Sequence, residues 1–250
     1  MLFRFFLKLV LMLKKIPPVL LLLSFAFSSI LAQRAQPREA DVLFRTHIVR
    51  AVDLKWQSSK EIFGQDIIFP VILYDAVLRG ELTAYKDATF KEKISVEDLL
   101  QKLCTTDGDS SYPVLKPEQM TEIELGEDLV FDSKRSEHYF LPQSLALFIP
   151  VGLNPHGLKE PWAVFHFEDC QKIFRADPRA YSEDKLISGR KVSFADLLVL
   201  KCFYNEIVKI GHAGDSYFDQ KYQDRVEAFI HSKDAQDGLI DFLYGLYNPE

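Results

Sequence analysis

Cysteine is scarce in this 250-residue sequence, which contains only Cys104, Cys170 and Cys202. No C-x-x-C pair and no spacing typical of a metal site occurs among them. The low, odd number excludes a disulfide-rich scaffold, although any two of the three could form one disulfide in an oxidising compartment. Because Cys170 and Cys202 lie in apolar helical patterns, we favour buried thiols that act as small apolar side chains.

Positive charge is also in deficit, with 30 Lys and Arg against 36 Asp and Glu and a net charge of −6. Nucleic-acid binding requires clustered Lys and Arg for phosphate contacts, so this balance disfavours that function and suits a basic protein partner. Aromatic residues make up 13% of the chain, and disordered chains contain few of them. We therefore expect a folded domain, alone or with one extension.

The first 32 residues contain no acid. They carry four basic residues and a short apolar run, which small residues follow. This order predicts a signal peptide over residues 1–32, cleaved between Ala32 and Gln33. The apolar run is short for a membrane span, and Pro17 and Pro18 interrupt the longer stretch before it.

Two methionines could start this leader, Met1 and Met12. We favour Met12, because Lys14 and Lys15 would then open a compact signal peptide. No cysteine stands at the cleavage point, so a lipidated N-terminus is not expected. Without the leader, 26 basic residues remain against 36 acidic ones, a net charge of −10.

Apolar residues at helical spacing predict helices over residues 41–53, 66–78 and 168–174, the second of which Gly80 ends. Ser95, with an acid three residues further on, predicts the N-cap of another helix. Between these helices, residues 82–85 are predicted to form a short strand and residues 105–111 a loop.

The middle of the chain changes to the alternating period of strands. Strands are predicted over residues 129–131, from Tyr139, over 145–149 and over 162–167, with turns at 126–128 and 132–136. The fold class expected is α+β, with helices flanking a central antiparallel sheet of about four strands and a helical C-terminal part. The predicted division is a flexible lead-in over residues 33–40, a core domain over 41–214 and a C-terminal helical region over 215–250.

Ser193 predicts the N-cap of a long apolar helix that continues to Ile210 and ends at Gly211. Lys201, Asn205 and Lys209, each four residues apart, are predicted to form its polar stripe. A last helical region is predicted from about residue 217 to residue 247. The break expected within it lies near Ser232 or Gly238.

No catalytic or metal-binding pattern is complete in the sequence. His166 and Glu168 match part of a zinc deaminase motif whose P-C-x-x-C half is absent. Cys202 and His212 could form a dyad, but a thiol on an apolar helix face would have a raised pKa. The segment 211–216 (GHAGDS) is neither a nucleophile elbow nor a phosphate loop. We predict a protein that is not an enzyme and holds no cofactor and no metal.

Several segments resemble the PorN/GldN family of the type IX secretion system and gliding machinery of the Bacteroidota. Residues 193–198 (SFADLL) are similar to the family's S-F-D-D-[LI]-F segment. Residues 127–136 (EDLVFDSKRS) resemble its E-D-W-F-F-D-K-Q-R-S hairpin, and residues 41–44 (DVLF) resemble its D-V-L-W opening. The shared order and spacing extend from Asp41 to about Tyr222.

The resemblance implies a periplasmic, non-enzymatic subunit. It implies a ring with a PorK/GldK-like outer-membrane lipoprotein, in which the chain also contacts its own copies. It further implies contact with the periplasmic part of a PorM/GldM-like motor protein of the inner membrane. No direct membrane insertion is expected after signal cleavage. The candidate partner contacts are Lys134 and Arg135 at the predicted hairpin tip and Lys201, Asn205 and Lys209 of the predicted helical stripe.

Two alternatives stay open at the level of sequence. A periplasmic hydrolase would need polar groups that converge in a pocket. A periplasmic ligand-binding module would use exposed aromatic residues such as Trp162 and Tyr139 along a groove.

Overall fold

A computed structural model describes residues 37–64, 66–104, 115–154, 159–184, 190–201, 203–211, 215–222 and 224–247. The predicted leader, its cleavage point at Ala32 and Gln33, the loop 105–111, Cys202 and His212 lie outside these residues. Two compact units divide the chain, Met1–Ala40 and Asp41–Glu250. The predicted domain boundaries stay predictions.

The described residues form seven α-helices and two antiparallel sheets. The strands are β1 (Val42–Asp53), β2 (Glu122–Asp132), β3 (Glu137–Ile149), β4 (Glu160–His166), β5 (Tyr181–Asp184), β6 (Arg190–Ser193) and β7 (Glu206–Gly211). The helices are α1 (Gln57–Phe63), α2 (Ile68–Leu78), α3 (Val96–Lys102), α4 (Phe167–Ala176), α5 (Phe194–Leu200), α6 (Phe218–Lys221) and α7 (Arg225–Tyr247).

The main sheet has five strands in the order β4-β3-β2-β1-β7. Each neighbouring pair is antiparallel, whereas β5 and β6 form a separate two-stranded sheet. The predicted α+β class with a central antiparallel sheet is therefore confirmed. The sheet nevertheless differs from the expected arrangement of four strands. The difference lies in which segments of the sequence form its strands.

The first difference is β1, because the helix predicted over residues 41–53 is wrong. Phe44, Ile48 and Val52 suggested one helix face, but residues four apart also share one face of a strand. The segment is rich in β-branched residues and pairs with β2 from Val42 to Asp53. The segment thus forms a central strand of the sheet.

The second difference concerns β2 and β3, each of which is one continuous strand. The turn predicted at residues 126–128 is wrong, since Gly126 pairs with Ser144 and Glu127 with Pro142 inside the ladder. Gln143 is the extra residue of a bulge at this point. The two strands predicted around Tyr139 and over 145–149 therefore belong to the same β3, while the turn predicted at 132–136 is confirmed.

The third difference is the long helix predicted from Ser193 to Ile210, which is wrong beyond Leu200. Ser193 does cap the helix, since its hydroxyl accepts a hydrogen bond from the Ala195 amide. Lys201 then adopts a left-handed conformation, with a φ of 53°, and ends α5. Residues 206–211 form β7, so Gly211 ends a strand and is not a helix C-cap.

The helices predicted elsewhere in the chain are mostly confirmed. The helices predicted over 66–78 and 168–174 are confirmed as α2 and α4, and the Ser95 hydroxyl accepts the Asp98 amide of α3. The predicted strand 82–85 is reduced to isolated bridges at Tyr85. The break predicted near Ser232 or Gly238 is wrong, because α7 is continuous.

One face of the main sheet carries two separate apolar clusters. The larger packs the sheet against α1 to α5 and includes Phe69, Leu145 and Trp162. The smaller has Ile48, Leu129 and Ile207 as its buried centre, and α7 packs on it through residues such as Leu239 and Leu243. The same face is thus divided into two halves that different helices cover.

Candidate partner interface

Two of the predicted contact residues, Lys134 and Arg135, lie at the exposed tip of the β2–β3 hairpin. The buried Asp132 carboxylate accepts the backbone amides of both, at 3.0 Å each. Its second oxygen lies 3.4 Å from the Arg135 guanidinium. The turn therefore holds a basic tip in a fixed position at one end of the sheet, where another protein can reach it.

Lys201 and Asn205 do not lie on a helical stripe. The Lys201 ammonium is 2.9 Å from the Glu127 carboxylate, and the side chain is only 17% exposed. Burial lowers the pKa of Lys201, while the Glu127 charge opposes this effect. The Asn205 amide oxygen accepts a 3.0 Å hydrogen bond from Arg50.

Arg50, Glu127, Lys201 and Asn205 together form what we call the buried charge cluster. Arg50 donates a 2.6 Å hydrogen bond to Glu127, whose side chain is completely buried. The Phe140 ring adds a second contact to both cations, at 5.4 Å from Arg50 and 4.1 Å from Lys201. Two cations thus share one carboxylate and one aromatic ring.

The position of the buried charge cluster explains its composition. Glu127 pairs with Ile48 in the ladder, and Arg50 pairs with Leu125. These positions lie where the larger apolar cluster gives way to the smaller one under α7. A charge placed here requires a partner of opposite sign, because an unpaired buried charge costs several kcal/mol, on the order of 3–5.

Lys209 lies apart from Lys201 and Asn205, on the opposite face of the sheet. It is 6% exposed, and its ammonium lies 5.3 Å from the centre of the Tyr217 ring. Here it lines a groove of about 660 Å³, formed between the sheet, the 86–90 segment and Tyr217. The predicted stripe of three residues is therefore distributed over two faces of one sheet.

The groove is floored by the β2–β3 bulge. A Cβ atom at Gly126 would lie 2.3 Å from the Ser144 hydroxyl, so glycine allows the two strands to pack closely here. Phe148 and Val164 supply apolar walls, and Phe90 closes one side. The result is an open, mainly apolar depression with a small number of polar groups.

Each charged group best placed in the groove has a partner within the protein. Glu124, which is 3% exposed, lies 2.6 Å from the Lys159 ammonium and accepts a 3.1 Å hydrogen bond from Tyr217. Burial and the Glu124 charge raise the pKa of Tyr217, so its phenol stays protonated as the donor. His47 pairs with Asp128 through a 2.9 Å contact at Nδ1.

Of the residues named above for catalysis, the structure describes His166 and Glu168. His166 stacks on Phe90 with ring centroids 3.6 Å apart, which gives the histidine a packing role. Cys170 is a buried thiol whose pKa is raised well above its usual value by burial, and Cys104 is also free. Over the residues described by the structure, no group of three or more His, Cys, Asp or Glu side chains is arranged to hold a metal ion.

Trp162, which the ligand-binding alternative would require to be exposed, is 1% exposed and donates a 3.0 Å hydrogen bond to the Leu99 carbonyl. It is a core residue. The aromatic residues that do line the groove are Phe90, Phe148 and Tyr217.

The family model described as "Gliding motility associated protein GldN" matches residues 37–248 of the chain. The chain belongs to the GldN family. This match covers both apolar clusters, the buried charge cluster and the groove, and it confirms the family resemblance noted in the sequence. It identifies a component of gliding motility. No curated protein matches the chain.

Among the helices within the described ranges, none combines the length and the apolar character that crossing a bilayer requires.

Sequence reasoning overlooked the acidic members of both sites. Glu127 lies in the predicted turn 126–128 and Glu124 in no predicted element, yet both are buried. The available signal was Arg50 within the apolar run 48–52 (IVRAV), since a buried arginine requires an acidic partner. Sequence alone did not show which acid this would be, because Glu127 is 77 positions further along the chain.

Proposed function

We propose that this GldN-family chain is a non-enzymatic structural subunit of the type IX secretion and gliding motility machinery. It resides in the periplasm and assembles with a GldK-like outer-membrane lipoprotein into a ring of alternating contacts, and it touches a GldM-like motor protein of the inner membrane. The observation that carries this proposal is the family match over residues 37–248.

The distribution of charge supports an assembly role. The buried ionisable groups Arg50, Glu124 and Glu127 are bound to partners inside the protein, which leaves them to hold the sheet together. The exposed Lys134 and Arg135 lie at the end of a rigid hairpin, where an acidic surface of another subunit can pair with them. Rigid elements that present exposed charge suit a docking subunit.

Localisation follows from the same proposal. The acid-free leader with an apolar run precedes the family match, and the segment between them is short. The lipoprotein would hold the subunit at the inner face of the outer membrane. N-terminal sequencing of the protein from the periplasmic fraction tests this part directly, and an N-terminus at Gln33 is expected.

The assembly role is tested by co-expression with the GldK-like lipoprotein, made without its lipid. The two proteins are expected to co-purify and to elute together as particles far larger than a one-to-one pair. Complete separation of the two chains during purification would overturn the proposal.

A matched pair of variants tests the contact at the hairpin. Lys134→Glu combined with Arg135→Gln is expected to weaken co-purification. Lys55→Glu combined with Lys91→Gln changes the same charge at exposed positions elsewhere and is the control. Equal co-purification of both variants would remove the hairpin tip from the interface.

A further inference from the structure

The helix α7 has a second apolar stripe on the side that does not face the sheet. Its inner side packs on the smaller apolar cluster through Leu239 and Leu243, and Ser232 is buried there. On the other side Val226, Ile230, Ile240 and Tyr244 are between 51% and 70% exposed. Exposed apolar residues along one helix indicate an interaction surface.

The spacing of the outer residues is that of a coiled-coil seam. Val226, Ile230, Lys233, Asp237, Ile240 and Tyr244 follow one another at steps of four and three residues alternately. This is the a/d repeat of 3.5 residues, which keeps a seam facing a second helix over its full length. We call these six residues the outer seam. Lys233 is its half-buried member, and its ammonium lies 5.4 Å from the centre of the Phe229 ring.

The outer seam is complementary to itself in the antiparallel direction. Rotation about a two-fold axis at position 235 places Ile230 opposite Ile240 of the other copy, and Val226 opposite Tyr244. The same rotation places Lys233 opposite Asp237. Each apolar residue therefore meets an apolar residue, and the two polar positions meet as opposite charges, twice over because the contact is symmetric.

We propose that α7 is a homodimerisation helix, whose outer seam packs antiparallel on the outer seam of a second copy of this chain. This contact needs neither the lipoprotein nor a ring, so it stands independently of the proposed function. The central Lys233–Asp237 pairs set the register, as single polar positions do in coiled coils. A parallel arrangement would place Lys233 against Lys233 and Asp237 against Asp237.

An acidic row along one flank of the outer seam is expected to weaken the dimer. Glu227, Asp234 and Asp241 are exposed and recur every seven residues beside the seam. In the antiparallel dimer the two acidic rows face each other, and like charges on facing flanks of two helices weaken the contact. The substitutions Glu227→Gln, Asp234→Asn and Asp241→Asn together are therefore expected to tighten the dimer.

Sedimentation velocity of the purified protein across a concentration series tests the proposal. A reversible monomer–dimer equilibrium is expected. Ile230→Ser combined with Ile240→Ser is expected to give a monomer with an unchanged circular dichroism spectrum. The control is Leu43→Ser combined with Leu200→Ser, since Leu43 is 69% and Leu200 57% exposed on other elements. This control is expected to keep the dimer.

A charge exchange tests the register. Lys233→Asp alone and Asp237→Lys alone are each expected to weaken the dimer about tenfold, and the two together to restore it to within about threefold of the original. The Lys233 ammonium also lies 4.9 Å from the Tyr204 ring, so thermal unfolding of each variant is recorded to separate effects on the fold. A double variant no tighter than the weaker single variant would contradict the antiparallel register.

Two outcomes would overturn the proposal entirely. One is a protein that stays monomeric at every concentration, and the other is a dimer that the Ile230 and Ile240 substitutions leave unchanged. A synthetic helical peptide with a leucine seam and lysine flanks serves as a further probe. If a monomeric protein binds this peptide through the outer seam, the surface takes a basic helix of another protein and not a second copy.

Discussion

Arg50 and Glu127 join two strands by a 2.6 Å hydrogen bond at a point where the Glu127 side chain is fully buried and the Arg50 side chain is 7% exposed. The pair lies between the two apolar clusters on one face of the sheet, and Lys201 brings a second cation from the end of α5. Helices α1 to α5 cover one part of the sheet, and α7 covers the other. Buried, paired charges therefore lie at the boundary between these two parts.

Removing the shared carboxylate is expected to destabilise the protein strongly. Glu127→Gln leaves Arg50 and Lys201 as two buried cations without an anion, which is expected to lower the free energy of unfolding by about 3 kcal/mol. Urea denaturation measures the change. Asp128→Asn is the matched control on the same strand, and it should cost less because the Asp128 side chain is 19% exposed. Equal decreases in the free energy of unfolding for the two variants would contradict the role of Glu127 as the shared partner of two buried cations.

The bulge under the groove gives a prediction about close packing. Gly126→Ala would place a methyl group 2.3 Å from the Ser144 hydroxyl, and the clash is expected to cost about 1–3 kcal/mol. Ser144→Ala in the same chain removes the clashing oxygen, so the double variant should recover most of that loss. Thermal unfolding of both single variants and the double variant completes the cycle. If the two single-variant losses of stability simply add in the double variant, the close approach of Gly126 to the Ser144 hydroxyl is not the cause of the Gly126→Ala loss.

The end of α7 is expected to be sensitive to acid. The Tyr247 hydroxyl lies 2.6 Å from His138 Nδ1 and accepts the His138 backbone amide at 3.1 Å. Burial, and next the charge of Lys201, lowers the pKa of His138. In the folded protein the imidazole therefore stays neutral at a pH where it already binds a proton in the unfolded chain.

The sign of the effect follows from this difference. Stability is expected to fall as the pH drops below about 6.5, the unfolded value, and to level off below the lowered folded value. His138→Gln should make the melting temperature depend less on pH between about 7.5 and 5.5. Scanning calorimetry of both proteins provides the measurement, and parallel pH profiles would exclude His138 as the source.

The N-cap of α3 offers a simple test of local helix energetics. The Ser95 hydroxyl accepts the Asp98 amide at 3.1 Å and donates to the Asp98 carboxylate at 2.8 Å. Ser95→Ala is expected to cost about 1 kcal/mol, and Ser95→Gly only a few tenths. Chemical denaturation of the two variants distinguishes them, and the reverse order would point away from a capping role.

Helices α2 and α7 pack on apolar clusters of different size, which predicts different rates of amide hydrogen exchange. Phe69, Ile72, Leu73 and Ala76 of α2 are fully buried, whereas the described part of the chain gives the cluster beneath α7 three buried residues, Ile48, Leu129 and Ile207. Hydrogen exchange in residues 225–247 is therefore expected to be faster than in residues 68–78. Mass spectrometry of the exchanged peptides measures both rates in one experiment, and slower exchange in α7 would disagree with this division.

Local patterns in the sequence predicted the elements whose signals lie within one turn or one strand. The Ser95 and Ser193 caps, the helices α2 and α4 and the hairpin turn at 132–136 were all recognisable, because each depends on neighbours a few residues away. The family and the α+β class followed from the order of such segments. The register of the sheet did not, since pairing joins residues far apart in the chain.

The sequence by itself determined the class of the fold, the helix caps and the hairpin, because side-chain hydrogen bonds and apolar periodicity act locally. Tertiary structure decided that residues 42–53 and 206–211 are strands, since their apolar spacing fits a helix as well as a strand and only the sheet offers them partners. It also brought Glu127 to Arg50 and Lys201, because a buried charge is stable only where the fold supplies its counter-charge.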